Sequence, residues 1–120
     1  MANIIEQKSF EFAVRIVNLY KHLSETKKEF VLSKQLLRSG TSIGANITEA
    51  LQGQSRADFI AKMNIALKET AETEYWLELL HQSGYIPNEM YHDIYKDCQE
   101  LLRILIAATK TLQGKTGNNN

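Results

Sequence analysis

Apolar residues recur at intervals of three and four along nearly the whole chain, and little interrupts them. The 120 residues include only six glycines and one proline, the two residues that most often end or bend a helix. No stretch shows the alternation of apolar and polar residues that is typical of a strand. These features predict an all-α protein and argue against a turn-rich β protein or a disordered chain.

Short polar or glycine-containing breaks divide the chain into four helical segments. The predicted segments cover residues 6–23, 28–52, 55–82 and a last one that starts at about residue 86. Long helices joined by connections of a few residues pack best as an antiparallel up-down-up-down four-helix bundle. We predict a single bundle domain over residues 1–113 and a flexible polar tail over residues 114–120.

The first segment carries two apolar stripes. Phe10, Val14, Val17 and Tyr20 share one face, and Phe12, Ile16, Leu19 and Leu23 form a second stripe beside it. One stripe is enough to join a monomeric bundle, and a helix that is apolar around most of its circumference is usually covered on two sides. The second stripe therefore predicts a contact between subunits.

An apolar row at seven-residue spacing runs through the second segment. The row consists of Phe30, Leu37, Gly44 and Leu51, with Leu36, Ile43 and Ile47 on the same side. Gly40 and Gly44 share one face of this segment, although each glycine inside a helix costs about 1 kcal/mol relative to alanine. Either a neighbouring helix packs closely on this face or the helix bends there, and we favour close packing.

Residues that could catalyse a reaction or bind a metal are few. The pairs Glu78/His81 and Glu89/His92 match the Glu-x-x-His motif of di-metal bundles, but both fall in terminal turns. The single cysteine, Cys98, lies on an apolar face, where an inert buried thiol is expected. No histidine has a nucleophile at a catalytic spacing, and no glycine-rich phosphate loop occurs. We predict no enzyme activity, no metal, no cofactor and no small-molecule substrate.

Polar side chains interrupt the apolar faces of the second and third segments, as at Asn46 and Glu74. A carboxylate that faces a bundle interior needs a hydrogen-bond or charge partner. The residues of the expected network are Ser42, Asn46, Glu49, Glu72 and Glu74, with Arg38 or Ser42 as donors. Such a network fixes helix register; a ligand site is the alternative, and Asn46 and Glu49 can face either the core or a subunit boundary.

Charge is unevenly distributed although the net charge is zero. Residues 1–68 hold ten Lys and Arg against six Asp and Glu, and residues 69–120 hold four against eight. A neutral total argues against strong nonspecific binding to nucleic acid, but the first half can build a basic face. The residues expected there are Lys27, Lys34, Arg38, Arg56 and Lys62. Solvated helix surfaces of mixed sign are the alternative.

Residues 35–49, QLLRSGTSIGANITE, resemble the signature of a family of small four-helix bundle proteins named after bacterial 23S rRNA intervening sequences. The family pattern there is close to Q-L-x-R-S-x-x-S-I-x-A-N-I-x-E-G. Further matches are Ser55, Phe59, Ala66, Leu67, Ala71, Glu72, Glu74 and Leu77. The resemblance implies a four-helix bundle that assembles as a homo-oligomer, which is a pentamer in members of known architecture.

That family is also similar to the accessory proteins of diversity-generating retroelements, which form basic pentamers that bind nucleic acid and a reverse transcriptase. This chain departs from the family pattern at three places. Gly44 replaces a frequent proline, Ala50 replaces a glycine, and Gly53-Gln54 stand where a basic pair usually precedes the serine. Loss of a basic pair removes phosphate contacts from every subunit and so weakens the RNA binding that the resemblance implies.

Two functions are predicted. The first is a noncatalytic homo-oligomeric scaffold, expected to be a pentamer, that binds RNA or a nucleic-acid-associated protein through the basic face. The alternative is a protein-interaction or assembly module that binds no nucleic acid. No apolar run approaches the 18 or so residues of a membrane span, and residues 1–10 show no signal-peptide pattern. We therefore expect a cytoplasmic protein with no membrane contact.

Overall fold

The computed structural model describes residues 2–117, with side chains for residues 4–112. Its four helices are α1 (Ala2–Glu25), α2 (Leu32–Leu51), α3 (Arg56–Gln82) and α4 (Asn88–Gly117). No strand occurs between residues 2 and 117. The predicted all-α class is confirmed.

Each helix packs against its neighbours in the chain, and α4 returns to α1 to close the bundle. In the described part of the chain, the diagonal pairs, α1 with α3 and α2 with α4, are not in backbone contact. Connections of at most six residues join the helices, which favours antiparallel neighbours. The result is the predicted up-down-up-down bundle, 52 Å long and 22–23 Å across.

Helix α1 buries one of its two apolar stripes and exposes part of the other. The buried stripe consists of Phe12, Ile16, Leu19 and Leu23. Phe10 and Val14 of the other stripe are exposed. The stripe that the sequence assigned to a subunit contact is therefore the core face. Contact with α2 explains this orientation of α1, because Ile16 packs directly against Gly40 and its stripe therefore faces the core.

Gly40 and Gly44 bring α1 and α2 close together. A Cβ atom on Gly40 would lie 2.8 Å from both Cγ atoms of Ile16, and one on Gly44 would lie 3.3 Å from Oγ of Ser9. Helix α2 is continuous through both positions. The predicted close packing is confirmed, and no break in the helix accompanies the glycines.

The buried face of α2 differs from the predicted seven-residue row. Phe30 and Leu51, the first and last members of that row, are exposed. The face that is buried consists of Ser33, Leu36, Ser39, Gly40, Ile43, Ile47 and Ala50. Small residues on this face allow α1 and α3 to approach α2, so the packing follows the small residues as well as the apolar ones.

The connection between α1 and α2 also differs from the prediction, because α2 begins at Leu32 and not at residue 28. Lys28 has a positive φ of 57°, which lies outside the right-handed helical region. Glu29 then caps α2 from a buried position. Its carboxylate accepts hydrogen bonds from the backbone N–H groups of Val31, Leu32 and Ser33 at 3.1, 3.0 and 2.6 Å.

The other connections follow their predicted signals. Oγ of Ser55 accepts a hydrogen bond from the N–H of Asp58 at 3.0 Å and caps α3, Gly84 follows α3 with a φ of 86°, and α4 begins directly after Pro87. Helix α4 extends to Gly117, four residues past the predicted end of the bundle. Residues 118–120 lie outside the described residues, so the flexible tail stays a prediction. No described helix combines the length and the apolar character needed to cross a membrane.

Candidate functional site

One surface of the bundle carries three exposed apolar side chains, together with polar ones, along a single helix. We call it the α1 outer face and define it by Ile4, Gln7, Phe10, Glu11, Val14, Asn18, Lys21 and Glu25, all of which are exposed. Phe10 is 68% exposed and Val14 is 46% exposed. Single exposed apolar residues are normal on a monomer, but several on one helix face are typical of an interaction surface.

A groove of about 860 Å³ lies beside Phe10, between α1 and α2. Its lining includes the small residues Ala13, Gly44 and Ala45 and the acidic residues Glu6, Glu11 and Glu49. A groove with this lining can accept apolar side chains from another protein segment. The glutamates favour a partner whose apolar residues are flanked by basic ones.

Two of the five basic residues predicted to form one face are paired with carboxylates of the neighbouring helix. Arg38 on α2 forms ion pairs with Glu69, at 3.2 Å, and with Glu72 on α3. Nζ of Lys62 on α3 lies 2.8 Å from Oε1 of Glu49 on α2. These pairs reduce the positive charge that either residue can offer to a phosphate.

The other three, Lys27, Lys34 and Arg56, are exposed and form no ion pair with the residues that the structure describes. Lys27 lies in the connection before α2, and Lys34 lies in the first turn of α2. Arg56 opens α3, beyond the opposite end of α2. The structure therefore brings Lys27 and Lys34 to one end of the bundle and leaves Arg56 at the other.

The five polar residues predicted to form one network are divided among separate contacts. Nδ2 of Asn46 donates to the carbonyl of Ser42 at 2.8 Å, within its own helix. Glu49 pairs with Lys62 and Glu74 makes no hydrogen bond or ion pair with the described residues. The expected link between α2 and α3 forms as an ion pair between Arg38 and Glu72. The hydrogen-bonding groups of the Ser42 and Asn46 side chains are satisfied within α2, because a hydroxyl or amide group on a helix can reach the carbonyl four residues earlier.

The pKa values of two carboxyls on α3, Glu72 and Glu74, are shifted in opposite directions. The indole N–H of Trp76, 2.9 Å from Glu72, lowers the pKa of that carboxyl, and Arg38 adds to the effect against the opposing influence of burial. Burial raises the pKa of Glu74, and nearby Glu78 raises it further. Both shifts have structural causes, and neither requires a substrate or a ligand.

Sequence reasoning missed the polar contact that is actually buried between α2 and α3. The hydroxyl oxygens of Ser39 and Thr73 are 2.9 Å apart in a hydrogen bond, and both residues are fully buried. The signal was present, because Ser39 lies three residues after Leu36 and four before Ile43, on the buried face of α2. This contact links the two helices in the way that the predicted network was expected to do.

The residues considered for catalysis or metal binding lie apart from a reactive arrangement. Nε2 of His81 lies 2.6 Å from Oδ1 of Asn88, and its ring stacks on Tyr91 at 4.0 Å. Across the described chain, no three His, Cys, Asp or Glu side chains are grouped to hold a metal ion. Cys98 is fully buried, and burial together with Glu74 and Asp97 raises the pKa of its thiol, which disfavours the nucleophilic thiolate.

Comparison with known proteins identifies relatives in sequence and in structure. Residues 1–107 match the model of a family described as 23S rRNA-intervening sequence protein. The chain is also similar to a protein of unknown function from the S23 ribosomal protein family of Bacteroides thetaiotaomicron VPI-5482, which has a crystal structure at 1.70 Å resolution. The two are 63% identical with a TM-score of 0.89, over 91% of this chain and 97% of that one. No curated protein matches this chain.

Proposed function

The chain belongs to the 23S rRNA-intervening sequence protein family, as the resemblance at residues 35–49 predicted, and from that premise we propose that it is a noncatalytic scaffold that works as a homo-oligomer. The observation that carries this proposal is the exposure of Phe10 and Val14 on the α1 outer face. Covering apolar surface contributes roughly 25 cal/mol for each Å² removed from water. A second copy of the chain is a partner that is always available.

The expected number of subunits is five, which the family resemblance implies. The test is the mass in solution, measured by sedimentation velocity over a wide range of concentrations. We expect the wild-type chain to sediment as a multiple of 13.7 kDa. A wild-type particle of 13.7 kDa at every concentration contradicts the proposal.

A matched pair of variants locates the contact. Val14 on α1 and Ile106 on α4 are each 46% exposed, so glutamine at either position removes a similar amount of exposed apolar surface. We expect Val14→Gln, alone or with Phe10→Gln, to shift the particle toward the monomer. Ile106→Gln leaves the mass unchanged. Equal effects of the two variants contradict the assignment to α1.

Nucleic-acid binding is the second candidate function. Lys27 and Lys34 support it, because both are exposed at one end of the bundle and form no ion pair with the described residues. Each copy in an oligomer presents these two side chains, so weak phosphate contacts add up over the subunits. The ligand is then RNA, or a protein that is itself associated with nucleic acid. The competing function is a module that binds only proteins.

Filter binding to a structured RNA at two salt concentrations separates these functions. We expect binding at low salt that decreases at high salt, because each phosphate contact releases counterions. Lys27→Glu with Lys34→Glu weakens the binding, whereas Lys96→Glu, a reversal at an exposed position of α4, is the control. Arg38 is a poor choice for this test because it is already paired with Glu69 and Glu72. Absence of binding at low salt removes RNA as the ligand.

A further inference from the structure

We propose that the α1 outer face of one copy packs, in parallel orientation, on the outer face of α3 in the next copy, so that copies join front to back. This proposal rests on the proposed self-association and adds the identity of the opposing surface. The α3 outer face consists of Ala61, Ile65, Lys68, Ala71, Tyr75, Glu78 and Gln82, all of which are exposed. Ile65 is 39% exposed and Tyr75 is 59% exposed.

The two outer faces have the same spacing. Adding 57 to the numbers of Ile4, Glu11, Val14, Asn18, Lys21 and Glu25 gives Ala61, Lys68, Ala71, Tyr75, Glu78 and Gln82. Two helices in parallel contact meet at such matched positions when their exposed residues repeat at the same intervals of three and four. The equal spacing therefore allows the two faces to be in register along more than five turns.

The matched positions are also chemically complementary. Glu11 falls opposite Lys68, and Lys21 falls opposite Glu78, so both charged positions combine opposite signs. None of these four residues forms an ion pair within the described part of one copy. Their charges are thus available to a neighbour, and complementary charges fix the register of an interface.

The apolar positions match in the same register. Val14 falls opposite Ala71, a small residue that leaves space for it. Ile65 falls opposite residue 8 in this register, and Phe10 lies within one turn of that position. The large exposed side chains of α1 therefore meet apolar surface at the same level of α3.

Contacts inside one copy show that this register needs almost no shift along the bundle axis. Ile16 lies beside Gly40, and Ser39, the residue before Gly40, is hydrogen-bonded to Thr73. Ile16 is therefore level with residue 72 of α3, a separation of 56 that differs from 57 by one residue. One residue of helix corresponds to about 1.5 Å.

A contact without axial shift has a consequence for the assembly. Helices α1 and α3 are diagonal in the bundle, so each copy presents the two faces on opposite sides and contacts two neighbours at once. Such a heterologous contact forms a closed ring when the rotation between successive copies closes, and an open filament when it does not. The register of α1 and α3 keeps successive copies at nearly the same level, which is one condition that a closed ring requires.

Exchange of charges tests the register. We expect Glu11→Lys and Lys68→Glu each to raise the dissociation constant of the oligomer by about three- to tenfold, since exposed pairs contribute modestly. The double variant restores wild-type assembly because every front-to-back interface then has the reversed pair. Lys96→Glu is the control for a change of net charge, and circular dichroism checks that each variant remains helical. Wild-type assembly in both single variants, or failure of the double variant to restore it, overturns the register.

Cross-linking tests the direction of the contact. With a short thiol-specific cross-linker, Val14→Cys combined with Ala71→Cys is expected to give covalent multimers larger than a dimer, and neither single variant is cross-linked. Cys98 is fully buried and serves as the unreactive background in wild type. Dimers from Val14→Cys alone indicate a symmetric α1–α1 contact and overturn the front-to-back arrangement while self-association stands. No covalent product from the double variant, in a chain that sediments as an oligomer, overturns the α1–α3 contact, and a wild-type chain that sediments as a monomer overturns the proposed function itself.

Discussion

Helix α1 is held by its two neighbours, α2 and α4, in different ways. Against α2, the fully buried side chain of Ile16 fits against Gly40, and Ser9 lies against Gly44. The two backbones approach closely because neither glycine carries a side chain. We call this contact the α1–α2 seam.

The α1–α4 seam is less extensive and is crossed by ion pairs at its surface. Nζ of Lys8 lies 3.2 Å from Glu100, and Arg15 pairs with Asp93 and Asp97. Their side chains are roughly 40% exposed or more, and pairs of this kind contribute about 0–1 kcal/mol each. The comparison indicates that apolar packing against α2 holds α1 in the fold, whereas the charges on α4 mainly select its orientation.

The largest expected effect comes from Ile16→Ala, which empties the centre of the α1–α2 seam. A buried isoleucine cut back to alanine costs about 2–5 kcal/mol of the free energy of unfolding. Urea unfolding followed by circular dichroism measures this loss. The series is run at several protein concentrations, because unfolding is coupled to dissociation in an oligomer.

Val14→Ala, on the exposed side of the same helix, is the control for Ile16→Ala. Its effect on a dilute, dissociated chain is expected to stay within about 0.5 kcal/mol. Equal losses in the two variants would show that the inner stripe of α1 does not carry its attachment to α2.

The two glycines of the α1–α2 seam give the next effect, and its sign differs between them. Alanine improves helix propensity by about 1 kcal/mol at either position. At Gly40 the new Cβ would lie 2.8 Å from Ile16, whose branched side chain cannot move freely, so overpacking of about 1–3 kcal/mol dominates. At Gly44 the nearest atom is Oγ of Ser9 at 3.3 Å, and the change is expected to be neutral or stabilising.

Thermal unfolding of Gly40→Ala and Gly44→Ala, side by side, measures this difference. Ile16→Ala should cost less in the Gly40→Ala background than in wild type, because the smaller side chain relieves the overlap. Destabilisation of similar size at both glycines contradicts the interpretation of the seam.

Much of this fold could be predicted from the sequence because the relevant signals are local. Helix periodicity, the cap at Ser55 and the single-face arrangement of Gly40 and Gly44 depend on residues within one segment, and the structure confirms each of them. The choice between the two stripes of α1 is different. Both stripes are apolar, and tertiary packing, such as the fit of Ile16 against Gly40, decides which one faces inward.

The candidate site was less predictable for the same reason. Whether Lys34 or Arg38 can reach a phosphate depends on the acids of the neighbouring helix, and the register between α2 and α3 is set by tertiary packing. Arg38 falls beside Glu69 and Glu72, whereas Lys34, one turn away, has no ion-pair partner among the described residues. One sequence can identify basic residues, but it does not give this pairing.

Glu29→Gln, in the connection between α1 and α2, has a smaller expected effect on the free energy of unfolding. The carboxylate accepts three backbone hydrogen bonds at the start of α2, and loss of its charge is expected to cost about 1 kcal/mol. Burial by itself raises the pKa of Glu29, but the hydrogen bonds from Leu32, Ser33 and Val31 outweigh it and hold the pKa below its usual value.

The pH dependence gives this prediction its sign. Because the pKa is lower in the folded state, the contribution of Glu29 is complete above the unfolded pKa of about 4.3 and is lost as the pH falls through the folded pKa. The difference in free energy of unfolding between wild type and Glu29→Gln should therefore be constant near neutral pH and shrink in acid. A difference that stays the same at all pH values would mean that the charge of the carboxylate has no part in capping α2.

The smallest expected effect is that of Arg15→Ala, which removes the guanidinium that pairs with Asp93 and Asp97 across the α1–α4 seam. Since the guanidinium and its carboxylates are well exposed, the expected loss is at most about 1 kcal/mol, and it should vanish in about 1 M salt, where charges are screened beyond about 3 Å. Lys96→Ala, at an exposed lysine of α4 that forms no ion pair with the described residues, is the control. A loss that exceeds that of Gly40→Ala, or that persists in salt, would make the α1–α4 seam as important as the α1–α2 seam and remove the distinction between them.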